Sequence, residues 1–392
     1  MKYGPFLKSF TLENFKAIQK SGAVSFTPLT VLIGNNGSGK SSLIEGLETY
    51  RSIVMDGLDT AMQRWYGFEH IWNKRVRHRT IGFGLNGNTH ENPIKFEING
   101  RFRQESFQAK MAINARPGLN GYFIQEETGK ISEGLTFKRD FNGKCQTQYG
   151  VGRLGKIRNV ESGESALPEG LKAFVSRWQF LNLMPDPMGR PEAKTMTGNG
   201  KVMLNRDGSN LAQYLLNIRE KDPAVFNGIV ESMQFVLEYI RNIEPVDTRE
   251  IMPTMYLKMW EQLGEKKMEI PGWLISTGTI RILALLAVLR NPEPPPLIVM
   301  EEIENGLDPR TLHLILEEIQ TMVHGGKSQI ILTTHSPYFL DLLPLQTILL
   351  AERDETGNPV FRRPADDKEV RNWAEKFAPG RLYTTGRLSR GK

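Results

Sequence analysis

The segment VLIGNNGSGKSSLIEGL, residues 31–47, decides the fold class of this 392-residue chain. It continues an apolar run, Leu29–Ile33, whose β-branched residues predict a buried strand. Gly34 ends that strand, and Leu43 and Leu47 then follow at helical spacing. The glycine-rich loop therefore lies between a strand and a helix, which is the context that a phosphate-binding P-loop requires.

The loop has the composition that cradles the β- and γ-phosphates of a nucleotide. Its glycines let successive backbone N–H groups turn toward the phosphates, and the following helix adds its positive N-terminal end. Lys40 places an ammonium group against the phosphates, and Ser41 offers a hydroxyl to Mg²⁺. ATP with Mg²⁺ is the expected ligand. The predicted nucleotide-binding residues of this loop are Gly34, Asn35, Asn36, Gly37, Ser38, Gly39, Lys40, Ser41 and Ser42.

A second apolar run, LIVM at 297–300, ends in two carboxylates. The carboxyl ends of parallel strands face the crevice in which such sheets bind ligands. Glu301 is predicted on the Mg²⁺ side, and Glu302 is predicted to polarise the attacking water. A third run, SQIILTTH, places His335 at the end of another buried strand, where its imidazole can reach the γ-phosphate or the water.

The segment WLISTGTIRILALLAVL, residues 273–289, carries a second helix start suited to an anion. The P-loop already provides the phosphate seat of its own subunit. Ser276, Thr277 and Gly278 are therefore predicted to meet a γ-phosphate held by another subunit. The segment Gly306–Pro309 fits a loop that crosses the same interface, which adds Asp308 to the candidate residues.

The fold class predicted from these patterns is α/β, with a mostly parallel core sheet. Residues 80–150 alternate apolar and polar side chains between turns, which predicts an antiparallel meander. Residues 150–170 are predicted as loop, and 211–240 as helical. The predicted domains are a P-loop core at 1–59 and 241–360, a β-rich insertion at 60–200, a helical insertion at 201–240 and a basic tail at 361–392.

Composition and charge set the broad class. The longest apolar stretch, Ile282–Leu289, is too short to span a bilayer, and Cys145 is the only cysteine, so a cytoplasmic protein without disulfides is expected. The net charge is +6 and is unevenly placed. The basic tail is one cluster, with Lys376, Arg381, Arg387, Arg390 and Lys392. The other consists of Lys74, Arg75, Arg77 and Arg79 and suits duplex DNA.

The order of P-loop, S-x-G signature, strand with glutamates, D-loop and terminal-strand histidine resembles the ABC-class ATPase heads of the RecF, SMC and OLD group. The compact bacterial AAA-family ATPases of that kind look most similar, through FTLENFKAI, LNRDGSNLAQYL and EEIENGLDP. The resemblance implies an ABC-type head in which two copies sandwich ATP. Lys40, Ser41, Glu301, Glu302 and His335 would serve one half of each site, and Ser276, Gly278 and Asp308 the opposite half.

Some positions depart from the pattern of that group. Glu301 replaces the aspartate of most ABC ATPases, Ile303 replaces a common proline, and Asp308 replaces a frequent histidine. The Q-loop glutamine has three candidates: Gln104, Gln125 and Gln179. The segment after His335 is too short for a TOPRIM-like nuclease cluster, and the chain lacks the heptads of SMC-length arms.

Three functions are compatible with these motifs. The first is an ATP-driven homodimeric switch or clamp on DNA, in repair or anti-phage defence. The second is a regulatory scaffold that holds or releases a separately encoded effector, such as a nuclease or toxin. The third is a transporter ATPase, against which the antiparallel insertion and the RecF-like N-terminus argue. DNA-stimulated turnover would distinguish the first from the second.

Overall fold

The computed structural model describes residues 6–77, 79–82, 88–102, 105–116, 121–132, 134–150, 153–161, 163–193, 202–248 and 254–389. Its strands are β1 Phe6–Phe15, β2 Ile18–Lys20, β3 Val24–Ser25, β4 Leu29–Ile33, β5 Thr80–Gly82, β6 Asn88–His90, β7 Ile94–Phe102, β8 Glu105–Arg116, β9 Gly121–Ile131, β10 Leu135–Arg139, β11 Lys144–Tyr149, β12 Arg153–Asn159, β13 Gln179–Leu181, β14 Glu192–Ala193, β15 Ile240–Thr248, β16 Thr254–Leu263, β17 Lys266–Pro271, β18 Leu297–Met300, β19 Gln329–Thr333, β20 Ile348–Arg353 and β21 Pro359–Arg362.

The α-helices are α1 Lys40–Gln63, α2 Phe68–Ile71, α3 Glu169–Ser176, α4 Pro185–Gly189, α5 Leu211–Lys221, α6 Pro223–Val236, α7 Thr277–Leu289, α8 Pro309–His324, α9 Pro337–Asp341, α10 Lys368–Ala374 and α11 Pro379–Thr384. Short 3₁₀ turns cover Gly272–Leu274, Leu345–Thr347 and Pro364–Asp366. The chain forms two compact units. The first combines residues 1–178 with 343–392, and the second is 179–342. These bounds do not coincide with the predicted domains.

The first unit is built on a nine-stranded antiparallel sheet in the order β12-β11-β10-β9-β8-β7-β1-β2, with β3 also paired to β1. Its inner face is apolar because alternate residues of β1, β7 and β8 point inward, including Phe10, Phe96 and Met111, each at most 1% exposed. The kinked helix α1 packs on β1, where Gly46 leaves room for Leu12. The antiparallel order of β7 to β12 confirms the meander predicted at 80–150.

The P-loop of the first unit follows β4, whose five residues are all buried. β4 pairs in parallel with β20, and β20 pairs antiparallel with β21. The loop therefore emerges from a two-sided apolar strand, as Leu29–Ile33 predicts.

The second unit contains the parallel strands β13, β18 and β19, in which Leu181 lies opposite Met300 and Met300 opposite Leu332. The apolar runs at 297–300 and 329–333 are buried throughout, as their composition predicts. A small antiparallel sheet of β14, β15, β16 and β17 completes this unit together with α4–α9. The mostly parallel core and the α/β class agree with prediction.

Two local predictions need correction. Residues 153–159 form β12 instead of loop, because they extend the meander and pair with β11. The helical stretch predicted to reach Ile240 ends at Val236, and Ile240–Thr248 is a strand paired with β16. The segment predicted as a basic tail, 361–392, contains the helices α10 and α11.

Candidate nucleotide site

The P-loop turns sharply between β4 and α1. Gly34, Gly37 and Gly39 have φ values of 145°, 76° and 102°, a region that glycine enters without steric cost. Lys40 is only 7% exposed, and its Nζ donates to the carbonyls of Gly34 (2.6 Å) and Asn35 (3.2 Å). The buried ammonium is thus folded back along the inside of the loop.

Strands β20 and β21 support the loop from behind. A Cβ at residue 34 would lie 2.2 Å from the carbonyl oxygen of Ala351, and one at residue 39 would lie 2.6 Å from Pro359. Arg353 Nε donates to the Gly37 carbonyl at 2.8 Å. These contacts fix the loop backbone and explain why the glycines are needed there for close approach as well as for φ.

The loop fits a magnesium nucleotide. The side chains of Asn35, Asn36 and Ser41 are exposed, so the Ser41 hydroxyl at the start of α1 is accessible to a cation. Ser38 Oγ is buried and has no hydrogen-bond partner among the described residues. A phosphate oxygen would satisfy such a hydroxyl, because an unpaired buried polar group is unfavourable. Lys40 supplies positive charge within the same turn.

The two carboxylates after β18 have different environments. Glu301 is partly buried, its backbone N–H donates to Leu181, and its Oε1 accepts from Arg206 Nη2 at 2.6 Å. Arg206 belongs to the LNRDGSNLAQYL segment, and no sequence signal singled it out. Glu301 is therefore held at the strand end by a charge-assisted hydrogen bond, which is a stronger restraint than a neutral one.

Glu302 has a left-handed backbone conformation, with φ of 50°. For a residue with a Cβ this costs about 1–2 kcal/mol, so neighbouring contacts must stabilise it. Its N–H donates to Thr333 Oγ1 at 2.9 Å, and its carbonyl accepts from Arg281 Nη2 at 2.7 Å. Its exposed carboxylate accepts a short hydrogen bond from the Asn305 amide. Glu302 is therefore fixed in its backbone and presents its carboxylate outward.

His335 lies close to these carboxylates. Its backbone N–H donates to Glu304 Oε1 at 2.6 Å, and its side chain is exposed. Glu304 Oε2 is buried without a hydrogen-bond partner among the described residues. The structure thus brings His335 and the segment Glu301–Asn305 together at the ends of β18 and β19, as predicted for neighbouring parallel strands.

The signature segment begins α7. Ser276 is the N-cap: its Oγ accepts from the Thr279 N–H at 3.2 Å, while Ser276 and Thr277 remain exposed. A Cβ on Gly278 would lie 2.7 Å from the carbonyl oxygen of Gly306, so the start of α7 contacts the loop Gly306–Pro309 directly. The exposed N-terminus of a 13-residue helix carries partial positive charge and suits an anion.

Asp308 is used within its own loop. It caps α8, accepting from the N–H groups of Arg310 (2.9 Å) and Thr311 (3.2 Å) and from the Thr311 hydroxyl. The hydrogen bond from Thr311 holds the pKa of Asp308 below its usual range. Asp308, which is predicted to lie beside a nucleotide, therefore caps α8, and its side chain remains exposed.

The predicted basic cluster is partly committed to other contacts. Arg75 donates to the carbonyls of Gly357 (2.7 Å) and Thr356 (3.4 Å), and Lys74 donates to the Glu69 carbonyl. In the C-terminal segment, Arg381 lies 4.9 Å from the Phe377 ring centre, and Arg387 lies 5.5 Å from that of Trp373. Arg390 and Lys392 lie outside the described residues. Four of the seven described cations of these clusters therefore contact the protein itself, and Arg77, Arg79 and Lys376 are exposed.

The Q-loop candidates have structural partners. Gln179 is 4% exposed and its amide donates to the Leu204 carbonyl at 2.5 Å. Gln125 accepts from the Asn114 amide at 2.9 Å in the antiparallel sheet. Gln104 lies outside the described residues.

Two family models match the chain. An "AAA ATPase domain" model matches residues 6–127. A second model matches residues 156–341; it is described as an AAA domain, and that description also mentions an AbiEii toxin and a type IV TA system. The first match contains the P-loop, and the second contains the signature, both carboxylates and His335.

Curated relatives match over a shorter part. The Nod factor export ATP-binding protein I of Bradyrhizobium diazoefficiens is 42% identical over 71 residues, 18% of this chain and 22% of that protein. The Rhizobium etli protein of the same name is 46% identical over 90 residues, 23% of this chain and 28% of that protein. The chain thus covers about a quarter of these relatives' length. No helix in the described parts of the chain is long and apolar enough to cross a membrane.

Solved structures of SMC heads are also similar. The head domain from Thermotoga maritima has a TM-score of 0.42 at 12% identity, covering 91% of this chain and 98% of that one. An Smc head bound to the C-terminal domain of ScpA, derived from Pyrococcus furiosus, has a TM-score of 0.49 at 11% identity, with coverage of 95% and 100%. The two matches, both to AAA domain models, and the order of the motifs support an ABC-class AAA ATPase of the RecF/SMC/OLD type.

Proposed function

We propose that this protein binds and hydrolyses ATP with Mg²⁺, and that the nucleotide joins two copies reversibly. The observation that carries the proposal is the presence of two separate helix starts suited to phosphate. One is the glycine loop before α1, with buried Lys40, and the other is the exposed Ser276-capped start of α7. One triphosphate occupies one P-loop, so the second helix start is available to a nucleotide held by another copy.

The P-loop half holds the nucleotide. Lys40 and the loop N–H groups would bind the phosphates, and Ser41 and Glu301 would hold Mg²⁺, which supplies charge neutralisation when bound. Glu302 would accept a proton from the attacking water, because its exposed carboxylate stands on a fixed backbone. His335 would orient that water or the γ-phosphate.

The opposite half belongs to the second copy. Ser276, Thr277 and Gly278 would donate to the γ-phosphate, and Asp308 would shape the loop beside them. Trp273 and Leu274 lie just before Ser276 and are 53% and 67% exposed. Exposed aromatic and aliphatic side chains beside a polar binding segment are typical of a surface that a protein partner covers.

Association on ATP tests the composite site. The mass of the protein in solution should double on adding ATP under conditions that prevent turnover, and Ser276→Arg should abolish that change while nucleotide binding to the single copy persists. Asp367→Arg is the matched control, because Asp367 caps α10 through the N–H groups of Glu369 and Val370 and lies outside both motifs. Normal ATP-dependent dimers of Ser276→Arg would refute the composite site.

We further propose that the switch acts on duplex DNA, in repair or anti-phage defence. The outer face of the nine-stranded sheet has a hollow of about 420 Å³ whose lining includes Lys8, Lys130, Asn99 and Gln108. Among the described residues no carboxylate lies within ion-pair distance of Lys8 or Lys130, whereas Lys110 on the same sheet pairs with Glu97 at 3.3 Å. Asn99 and Gln108 both donate to Glu97 Oε1, so Lys8 and Lys130 are the groups of this hollow that suit backbone phosphates.

The ATPase rate at low salt, with and without linear duplex DNA, tests this proposal. Stimulation should fade as salt rises, because released counterions drive such binding. Lys8→Glu/Lys130→Glu should remove it, while Lys95→Glu/Lys110→Glu, which reverses two lysines already paired with Glu13 and Glu97, should retain most of it. A rate indifferent to DNA would exclude this proposal.

The scaffold function is the second candidate. Its support is that Arg75, Arg381 and Arg387 contact backbone carbonyls or aromatic rings, so part of the predicted DNA contacts is used within the chain, although Arg77 and Arg79 are exposed. A toxin is also mentioned in the description of the family model that matches residues 156–341. ATP-dependent assembly without DNA stimulation, together with a stoichiometric co-purifying effector, would favour this function.

A further inference from the structure

Arg281 is a buried arginine on α7, five residues after the signature serine. It is only 5% exposed, and two of its guanidinium nitrogens donate to backbone carbonyls. Nη1 donates to Leu183 at 2.8 Å, and Nη2 donates to Glu302 at 2.7 Å. Its Nε is buried without a hydrogen-bond partner among the described residues. A buried guanidinium is costly to desolvate, and its hydrogen bonds to these two carbonyls offset part of that cost.

The contact with Glu302 is made at a strained point of the backbone. Glu302 has φ of 50°, and the bonds from Arg281 Nη2 and to Thr333 Oγ1 hold both sides of that residue. The direction of the Glu302 side chain follows from this backbone conformation. Arg281 therefore restrains the orientation of the carboxylate that is proposed to act on water.

The charges around Arg281 favour the same arrangement. Burial lowers the pKa of Arg281, and the nearby carboxylates of Glu304 and Glu302 oppose that shift. A guanidinium keeps its proton in proteins, so the side chain stays a cation between two anions. Its planar geometry lets two nitrogens reach two different carbonyls, which a lysine ammonium at the end of a flexible stem does not reproduce.

A second contact connects the same elements. Gly278, at the start of α7, touches the carbonyl oxygen of Gly306 so closely that a Cβ would lie 2.7 Å from it. The signature helix thus meets the 301–308 segment at two points, once at Gly306 and once at Glu302. A displacement of the start of α7 along its axis would be transmitted to Glu302, because a helix moves as a rigid element.

We propose that Arg281 is a positioning residue that couples the signature half-site to the carboxylate half-site of the same chain. This inference rests on the proposed function, in which Ser276–Gly278 contact a nucleotide held by the second copy. Occupancy of one composite site then adjusts Glu302 for the other site. Turnover of the two nucleotides is therefore cooperative, and the coupling passes through the Arg281–Glu302 hydrogen bond.

Arg281→Lys tests the coupling. We expect kcat to fall by about 10- to 100-fold, which is the scale for a misplaced catalytic group. The KM for ATP and ATP-driven association should stay within about 2-fold, and the Hill coefficient for ATP should fall toward 1. Thr333→Val removes the other restraint on Glu302 with little change of shape and should reproduce the loss of kcat. If Arg281→Lys does not fold, Thr333→Val is the variant to measure.

Arg290→Lys is the matched control. Arg290 ends the same helix and donates in a similar way, through Nη1 to the Gly228 carbonyl and through Nη2 to Glu318. Its replacement should lower the melting temperature but leave kcat and the Hill coefficient unchanged. A merely structural role for Arg281 would give that same pattern.

Different results would contradict the proposed function and the coupling through Arg281. Absence of ATP hydrolysis or of ATP-dependent association in the unmodified protein would refute the proposed function. Cooperative hydrolysis in the unmodified protein, unchanged in kcat and Hill coefficient by Arg281→Lys or Thr333→Val, would refute the coupling alone.

Discussion

Replacement of Gly34 by alanine probes how the P-loop is built. Gly34 has φ of 145°, and a Cβ there would lie 2.2 Å from the Ala351 carbonyl oxygen. The backbone conformation costs about 1–3 kcal/mol for an L-residue, because φ of 145° lies outside the left-handed helical region. The contact adds about 1–3 kcal/mol because a backbone oxygen cannot rotate away. Alanine recovers about 0.4–1 kcal/mol by restricting the unfolded chain. We therefore expect Gly34→Ala to lower the free energy of unfolding by about 1–5.5 kcal/mol.

Gly37→Ala is the matched control within the same loop. Gly37 also has positive φ, 76°, but its Cβ would meet only the far end of the Arg353 side chain, at 3.9 Å. Only the conformational cost remains, and alanine partly offsets it by lowering the entropy of the unfolded chain. We therefore expect the free energy of unfolding to fall by about 0–1.5 kcal/mol.

Urea denaturation without nucleotide, followed by circular dichroism, measures both variants. The difference between them, about 1–5 kcal/mol, combines the contact with Ala351 and the larger conformational cost at φ of 145° than at 76°. Gly34→Ala should also bind ATP more weakly, because the loop must move away from β20. Equal free energies of unfolding for the two variants would show that β20 does not support the loop as described.

Two further predictions concern single carboxylates. Glu302→Gln should lower ATP turnover by about 10²–10⁴ while leaving equilibrium ATP binding intact, since it removes only the proton acceptor; an unchanged rate would exclude Glu302 as the base. Burial raises the pKa of Glu192 to about 7, so the folded state holds a proton that the unfolded state loses near pH 4.5, and stability should fall as pH rises from about 4.5 to 7. Glu192→Gln should remove that decline, which is about 1–2 kcal/mol after solvent screening of a half-buried group. Urea titrations at pH 5 and pH 8 measure it; an equal loss of unfolding free energy between the two pH values in both proteins would contradict the raised pKa of Glu192.

Much of the site was predictable because its signals are local. The P-loop needs glycines, a lysine and a serine within eight residues, and both neighbouring elements follow from the apolar spacing in Leu29–Ile33 and α1. The end of LIVM likewise places Glu301 and Glu302, since a buried strand must stop where two carboxylates begin. The meander at 80–150 was recognisable because alternation and turns recur at short range.

Other features depended on partners distant in sequence. Residues 153–159 became a strand because β11 offered an unpaired edge, and the Gly-rich composition predicted loop instead. The cap of α8 by Asp308 is local by contrast, since its carboxylate accepts from residues 310 and 311. Asp308 followed by Pro309 is a helix-start signal that the sequence already contains, and the predicted role of Asp308 beside a nucleotide stays a prediction.

The sequence by itself determined which chemical groups the chain carries and the order of the elements that hold them. Glycine permits the positive φ of a tight loop, and the spacing of apolar residues indicates a helix or a strand. The glycine loop and the strand-end glutamates could therefore be predicted directly. Only the tertiary structure decided which groups restrain them. Ala351 stands behind Gly34, Arg206 holds Glu301, and Arg281 holds Glu302 across 21 residues of sequence. Such contacts depend on how elements pack after the chain has closed long loops, and no local pattern records that choice.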